Sequence, residues 1–443
     1  MPFAIPRALP ATAVLVAVAA FGTAAAPPAG AQAAPAGVSR AGLDLGRQTL
    51  PLNDGWAAAG SGTTGGAAAD ETHVSVVRTR DELVAAVAGN DPKIVYVSGR
   101  IDMTAGKSCT DFADPAYDLD AFLAAYDPAV WGTATKPTGP LEEARVRSAK
   151  TQGDQIKAIV GSNTTIIGIN NGRISHGSLV LTNISNVIVR NLEIVDAADC
   201  FPAWDPTDGS AGNWNSLYDL VSLSGATNVW IDHNTFSDGN NNDEDQPLRL
   251  GRPYQVHDGA SDIIKGSDYV TVSYNDYYDH DKTMLIGSTD TAGVDVGKLR
   301  VTVHHNRFGN VIQRAPRVRY GQVDVYDNLY VGTDEETYQY SLGVGIESAI
   351  YAENNYFRLS ADVPTSSVLH YWKGTKITAI GSLLQIGSRR PVPVDLIAAY
   401  NAAYDPDFTA DAGWTPTLRT HLDPTAAVPG IVAANVGIRH LGC

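Results

Sequence analysis

The sequence predicts an all-β protein, a parallel β-helix with a short helical cap before the stack and a loop-rich tail after it. Short strands recur as TTIIGI from Thr164, NVIVRNLEI from Asn186, NVWIDHNTF from Asn228 and YVTVSYNDY from Tyr269. They continue as RVTVHHNRF from Arg300, QVDVYDNLY from Gln322 and AIYAENNYF from Ala349, and the last five share an apolar-x-apolar strand, then Asn, any residue and an aromatic. Their first apolar positions are Val229, Val270, Val301, Val323 and Ile350, at intervals of 41, 31, 22 and 27 residues. A fixed core with variable spacing means one rung per coil, with loops of different length bulging from it. The shortest interval cannot hold a strand, crossover helix and strand, which need about 30 residues. Charged residues make up only 18% of the chain, and no stretch beyond the N-terminus has helical periodicity long enough for a helix-rich core.

Taken in order, residues 1–33 read as a secretory leader. Arg7 gives the positive start, Ala11 to Ala20 the apolar stretch, and Ala31-Gln32-Ala33 a small-x-small cleavage site. The apolar run is too short to span a bilayer. Residues 34–443 are then expected to form a single domain. Residues 34–55 read as a loose mature N-terminus, and the Gly/Ala/Thr-rich stretch from Gly55 to Asp70 as turns. Arg80 to Ala88 reads as a short helix capping the stack, followed by a strand from Lys93 to Val97. In the coils, Asn234, Asn275, Asn306, Asn328 and Asn355 should stack in register, bonding up and down the bend and tolerating left-handed backbone there. Phe236, Tyr277, Phe308, Tyr330 and Phe357 should form an interior ladder. The repeat fades beyond Phe357, and the proline-rich residues 391–443 read as a tail packed along the solenoid. Cys109, Cys200 and Cys443 allow one bridge and leave one thiol. Cys109 with Cys200 is the expected pair, since both fall in loops flanking the early coils, and no Cys/His spacing suggests zinc.

The net charge of -16, from 48 acidic and 32 basic side chains, argues against a nucleic-acid partner, which requires a positive field. It leaves room for a polyanion recruited through a bridging cation. Three motifs carry chemistry. DGASD puts Asp258 and Asp262 four apart around Gly259, and Asp219 stands at a matching place one rung earlier. Three carboxylates on adjacent coils can supply part of an oxygen cage for Ca²⁺, which takes about six to eight ligands. DHDKTMLIG carries Lys282, and QRAPRVR carries Arg314 and Arg319 around Pro316, a presentation suited to carboxylate recognition. Alone, an Asp-Gly turn is usually only a turn, and a loop lysine or arginine is usually solvated. Occurring on successive rungs, all three motifs should face one side.

Together NVWIDH, DGxxD, DHDKTMLIG, RVTVHHN and RxPxxR resemble polysaccharide lyase family 1, the pectate lyases, from about Gly55 to Phe357. The resemblance implies a right-handed β-helix and calcium-dependent β-elimination of α-1,4-polygalacturonate by a secreted, monomeric enzyme. It implies Asp219, Asp258 and Asp262 as calcium ligands, Lys282 and Arg319 as substrate-binding residues, and Arg314 as the catalytic base. An arginine is ordinarily always protonated, so Arg314 is expected to be depressed by positive charge from Ca²⁺, Lys282 and Arg319. Trp230, Asp232, His233, His304 and His305 are expected to support the scaffold. Some members carry a further acidic ligand where this chain has Leu217; Asp205 and Asp208 are nearby alternatives. A pectin lyase would not need the three aspartates, and a hydrolase would need a flanking acid/base carboxylate pair that the coils do not show. A non-catalytic polysaccharide-binding β-helix remains the reading from another class.

Overall fold

The repeated strands pile up rung on rung in the computed structural model, which describes residues 38–332 and 337–441. The expected leader and Cys443 lie outside these residues. Each coil passes through three strands before returning one level higher, so the stack is a right-handed parallel β-helix with three long faces. In the first sheet Val187, Val229, Val270, Val301, Val323, Ile350 and Ile377 are in register. In the second, Ile194, Phe236, Tyr277, Phe308, Tyr330, Phe357 and Leu384 align. The third runs through Leu181, Leu223, Ile263, Ile286, Val318, Val344 and Tyr371. Because side chains alternate along a strand, these positions point inward and all but Tyr371 are fully buried or nearly so. The aromatic ladder forms as expected, with rings stacked 4.7–5.2 Å apart from Phe236 to Phe357.

The asparagine ladder also forms, with one correction. From Asn275 to Asn355 each ladder Asn accepts from the backbone and the side chain of the Asn below: Asn275 donates both its N–H (2.9 Å) and its Nδ2 (3.0 Å) to Asn306 Oδ1. Left-handed backbone, however, belongs to the residue before it, at His233, Tyr274, His305, Asp327 and Asn354, with φ of 52–54°. The sharp bend is made there, which frees the Asn side chain to point inward along the stack.

Four readings of the sequence change. Residues 38–55 are not loose, and the expected turns at 55–70 are ordered with them. A helix at Arg40–Gly46 and the following turns form a strap over the outer face of the first sheet, where Trp56 and Ala57 N–H donate to Thr302 and Thr271 Oγ1, and Gly66 N–H to Thr165 Oγ1. Its glycines are there because the strap lies directly on the rungs: a Cβ on Gly66 would sit 1.9 Å from Lys93 O. The capping helix Arg80–Val87 forms with a Thr79/Glu82 capping box, but a strand at Val74–Val77 precedes it and pairs parallel with the strand Lys93–Asp102.

A larger departure is the helical excursion between residues 109 and 156, above all the helix Pro140–Ile156. Its buried face is Ala144, Arg145, Ser148, Ala149, Gln152, Gly153 and Ile156, small or polar almost throughout, so no apolar stripe marks it in the sequence. A Cys109–Cys200 disulfide (Cα–Cα 5.4 Å), the expected pair, ties this excursion to the coils. Finally, the stack continues one rung past Phe357, through Leu369–Trp372, Ile377–Ile380 and Leu383–Ile386. Ser382 and Leu384 stand there at the Asn and aromatic positions, so the rung persists without its signature. Beyond it Leu383–Ile386 pairs antiparallel with Val392–Pro393, and the helix Leu396–Asn401 follows. Among the described residues no helix is long and apolar enough to cross a membrane.

Candidate functional site

The chemistry-bearing side chains gather where the coil passes from the second sheet to the third. Asp219 lies in the crossing between Thr235's predecessor strand, Glu193–Val195, and Val221–Ser224. Asp258 lies in the next crossing, between Thr235–Ser237 and Ser261–Ile264. Lys282 ends Asp276–Lys282 on the third rung, and Arg314 follows Arg307–Gln313 on the fourth. Rungs stack at about 4.8 Å, so residues scattered over some hundred positions of sequence are brought into a groove roughly 15 Å long. The two long crossings, 196–220 and 238–260, form one of its walls.

Asp219 and Asp262 converge on Gly259. Gly259 N–H donates to Asp219 Oδ1 at 2.9 Å, and Leu285 N–H donates to Asp262 Oδ1 at 2.9 Å. A Cβ on Gly259 would lie 2.3 Å from Asp262 Oδ1 and 2.9 Å from Asp219 Oδ1. Only glycine therefore leaves the space between the two carboxylates open. Asp262 is in register with Ser222 and points outward, while Asp258 is the more exposed of the three and faces Lys282 Nζ at 3.7 Å. Burial, followed by the charges of Asp262 and Asp258, pushes the Asp219 carboxyl well above its ordinary value. Burial, followed by Asp258, pushes Asp262 up to about 7, against the pull of Arg314 and Lys282. Buried carboxylates this close repel one another, and an oxygen-only donor set of net negative charge suits a hard cation. The residues present fit Ca²⁺.

Arg314 sits on the next rung with its backbone in the left-handed region, φ 61°, just before a cis Ala315–Pro316 bond. Its Nε is buried without a hydrogen-bond partner. Burial lowers its proton affinity, but Asp262 and Asp258 more than offset this and hold the guanidinium above its ordinary value. The expected depression is thus reversed by the carboxylates that face Arg314.

Arg319 is not brought to Lys282 and Arg314. Its Nε donates to Asp290 Oδ1 (2.7 Å) and its Nη1 to Gly287 O (3.0 Å), and Asp290 also pairs with Lys373. The arginine that joins the groove is Arg317. With Arg252, Lys282 and Arg314 it lines a cavity of about 470 Å³ whose other walls include Trp214, Trp372 and Asp208. Its guanidinium lies 3.7 Å from the Trp372 ring centre. Burial, then the charges of Arg319 and Arg314, lower it to about 10. Arg317 is inside the QRAPRVR motif, and strand alternation gives it the same face as Arg319, a signal available in the sequence. Arg252 and Trp372, on a long crossing and on the last rung, had none. Asp208 lines the cavity, whereas Asp205 is held by Lys136. Leu217 is exposed. Trp230, His233, His304 and His305 are packed in the scaffold as expected, with His233, Tyr274 and His305 stacked along the turn.

Comparison with known proteins agrees with this geometry. A family model described as pectate lyase matches residues 36–135 and 129–403. A pectate lyase from Bacillus subtilis (strain 168) is 43% identical over 415 residues, covering 91% of this chain and 95% of the relative. A solved thermostable pectate lyase superposes with a TM-score of 0.86 at 44% identity, covering 89% of this chain and 98% of that one. A pectate lyase bound to a hexasaccharide gives a TM-score of 0.84 at 41% identity, covering 90% and 100%.

Proposed function

This chain belongs to the pectate lyase family and is a polysaccharide lyase, and from that premise we propose that it cleaves α-1,4-polygalacturonate by calcium-dependent β-elimination, leaving 4,5-unsaturated oligogalacturonides. The observation that carries the reading is the convergence of Asp219 and Asp262 on the open space at Gly259, with Asp258 and Lys282 paired beside it and Arg314 one rung on. Asp219, Asp258 and Asp262 would hold the ion. A Ca²⁺ held there would supply positive charge that offsets these carboxylates and favours the negative charge developing on a uronate as its C5 proton leaves.

Lys282 can exchange Asp258 for the substrate carboxylate, since their 3.7 Å separation is an ion pair without a tight hydrogen bond. Arg314 takes the C5 proton. With Asp262 and Asp258 offset by a bound cation, the two largest charges that raise its proton affinity would be diminished, leaving burial, which lowers it, against the smaller pull of Tyr340 and Asp281. The electron pair left at C5 forms the C4–C5 double bond and expels O4. Arg317 and Arg252, rather than Arg319, join Lys282 and Arg314 as cations of the groove; Arg319 contributes only if it leaves Asp290. Because the neutral arginine is a minor species, activity should climb on the alkaline side. On this reading the enzyme works outside the cell on plant-wall pectin as a single chain, its leader removed.

The test is incubation with polygalacturonate in Ca²⁺ or in chelator, following the ultraviolet absorbance of the unsaturated product. A calcium-dependent rise is expected. New reducing ends without absorbance would mean hydrolysis, and saccharide binding with neither would mean a binding module.

A further inference from the structure

A second cluster of metal-ligating side chains lies at a different turn of the coil, between the first and second sheets. His305, from the bend of one rung, meets His421 and Asp423 from the C-terminal tail. His305 Nε2 is 2.9 Å from Asp423 Oδ2, and His421 Nε2 is 3.4 Å from Asp423 Oδ1. One donor atom from each of the three residues lies within 4.8 Å of the others. Around a tetrahedral ion with bonds of about 2.1 Å, donors stand about 3.4 Å apart, so small side-chain shifts suffice. His305 is buried, Asp423 nearly so and His421 is 60% exposed, which leaves an entry path and room for a water as fourth ligand.

The surroundings are built for this use. If His305 Nε2 gives its lone pair to a metal, Nδ1 must carry the proton. Nδ1 lies 2.8 Å from His304 Nδ1, which can accept it. His304 then keeps its own proton on Nε2, a buried atom without a hydrogen-bond partner that lies 3.5 Å from Asp54 Oδ1. Such a carboxylate–imidazole relay behind a ligating histidine fixes its tautomer and orientation. On the other side, Asp327 Oδ2 accepts from Asp423 N–H at 2.9 Å, while the buried Asp327 Oδ1 has no partner.

We propose that His305, His421 and Asp423 form a structural site for a divalent transition metal of the zinc type, which clasps the C-terminal tail to the stack. Two imidazoles and one carboxylate favour such an ion over calcium, which prefers oxygen alone. The tail is otherwise held here by Arg419 on Asp324 and Glu353, and by Asn354 Nδ2 on Asp423 O. A metal would add a further link across more than a hundred residues of sequence.

The probe is Zn²⁺ added to the purified full protein in excess Ca²⁺, so that the groove carboxylates are saturated. Calorimetric titration should give one equivalent bound, Co²⁺ in its place should give a tetrahedral visible spectrum, and Tm should rise by about 3 °C at a hundredfold excess over Kd. His421→Ala and Asp423→Asn should each abolish the binding and the Tm rise. His421→Ala, at an exposed position, should fold and keep full lyase activity. Absence of zinc binding to the wild type, or binding unchanged in both variants, overturns the proposal and leaves a hydrogen-bonded His–Asp pair. Neither result bears on the lyase reading, which is tested by product absorbance.

Discussion

Arg314 and Asp262 are one electrostatic unit, and each makes a testable residue-scale claim. Arg314→Lys keeps a cation but replaces a planar guanidinium by a shorter, differently directed ammonium. Turnover should fall by about 10³-fold with circular dichroism and Tm unchanged; retained activity in the absorbance assay would remove Arg314 from the role of base. Asp262 has a folded value of about 7, above its ordinary 3.8. The folded protein therefore holds a proton between these values that the unfolded chain releases, so this group's contribution is greatest below about pH 4 and is lost as pH rises towards 7. Asp219 acts in the same direction. In chelator, the wild type should lose Tm over that window relative to Asp262→Asn, and Ca²⁺ should abolish the loss. Parallel pH profiles of Tm for the two proteins in chelator would contradict the assignment. Asp258, Asp262, Lys282 and Arg314 were legible because DGASD, DHDKTMLIG and QRAPRVR each carry them within one short motif, but QRAPRVR also offered Arg319, which pairs with Asp290, in place of Arg317. Arg252 and Trp372 were not, because only the folding of distant segments brings them to the wall.

At the scale of the element, the asparagine ladder ranks above any single strand. Asn306 Oδ1 accepts twice from Asn275, and its Nδ2 donates to Val272 O, His304 O and Asn328 Oδ1. Asn306→Ala would leave buried donors and acceptors on both neighbouring rungs unpaired, at about 1–3 kcal/mol each. A total loss of about 3 kcal/mol or more is expected in denaturant unfolding, and a loss under 1 kcal/mol would show that backbone pairing alone sets the bend. The same ladder explains what could be read. Rungs bearing Asn and an aromatic announced themselves, while the last rung, with Ser382 and Leu384, did not. The helix Pro140–Ile156 was hidden for the opposite reason: its buried face includes Arg145, Ser148 and Gln152, whose burial is made tolerable by specific partners. Arg145 pairs with Glu142 and donates to Phe201 O, and Gln152 donates to Ala198 O.

For the whole molecule, straps and caps matter as much as coils. The segment at 55–66 crosses several rungs of the first sheet, and the tail at 419–425 crosses rungs near its other border. Both hold together levels that otherwise touch only their neighbours. The closing pair, Leu383–Ile386 with Val392–Pro393, has a further consequence. A stack of parallel strands offers its final level as a template for another copy, and a reversed strand bearing a proline, which has no N–H to donate, interrupts that templating. Removing residues 391–443 should therefore make the chain polymerise end to end. Light scattering and electron microscopy should show filaments with the strand spacing of about 4.8 Å along their axis, and a truncated chain that stayed folded and dispersed would show that the stack ends itself.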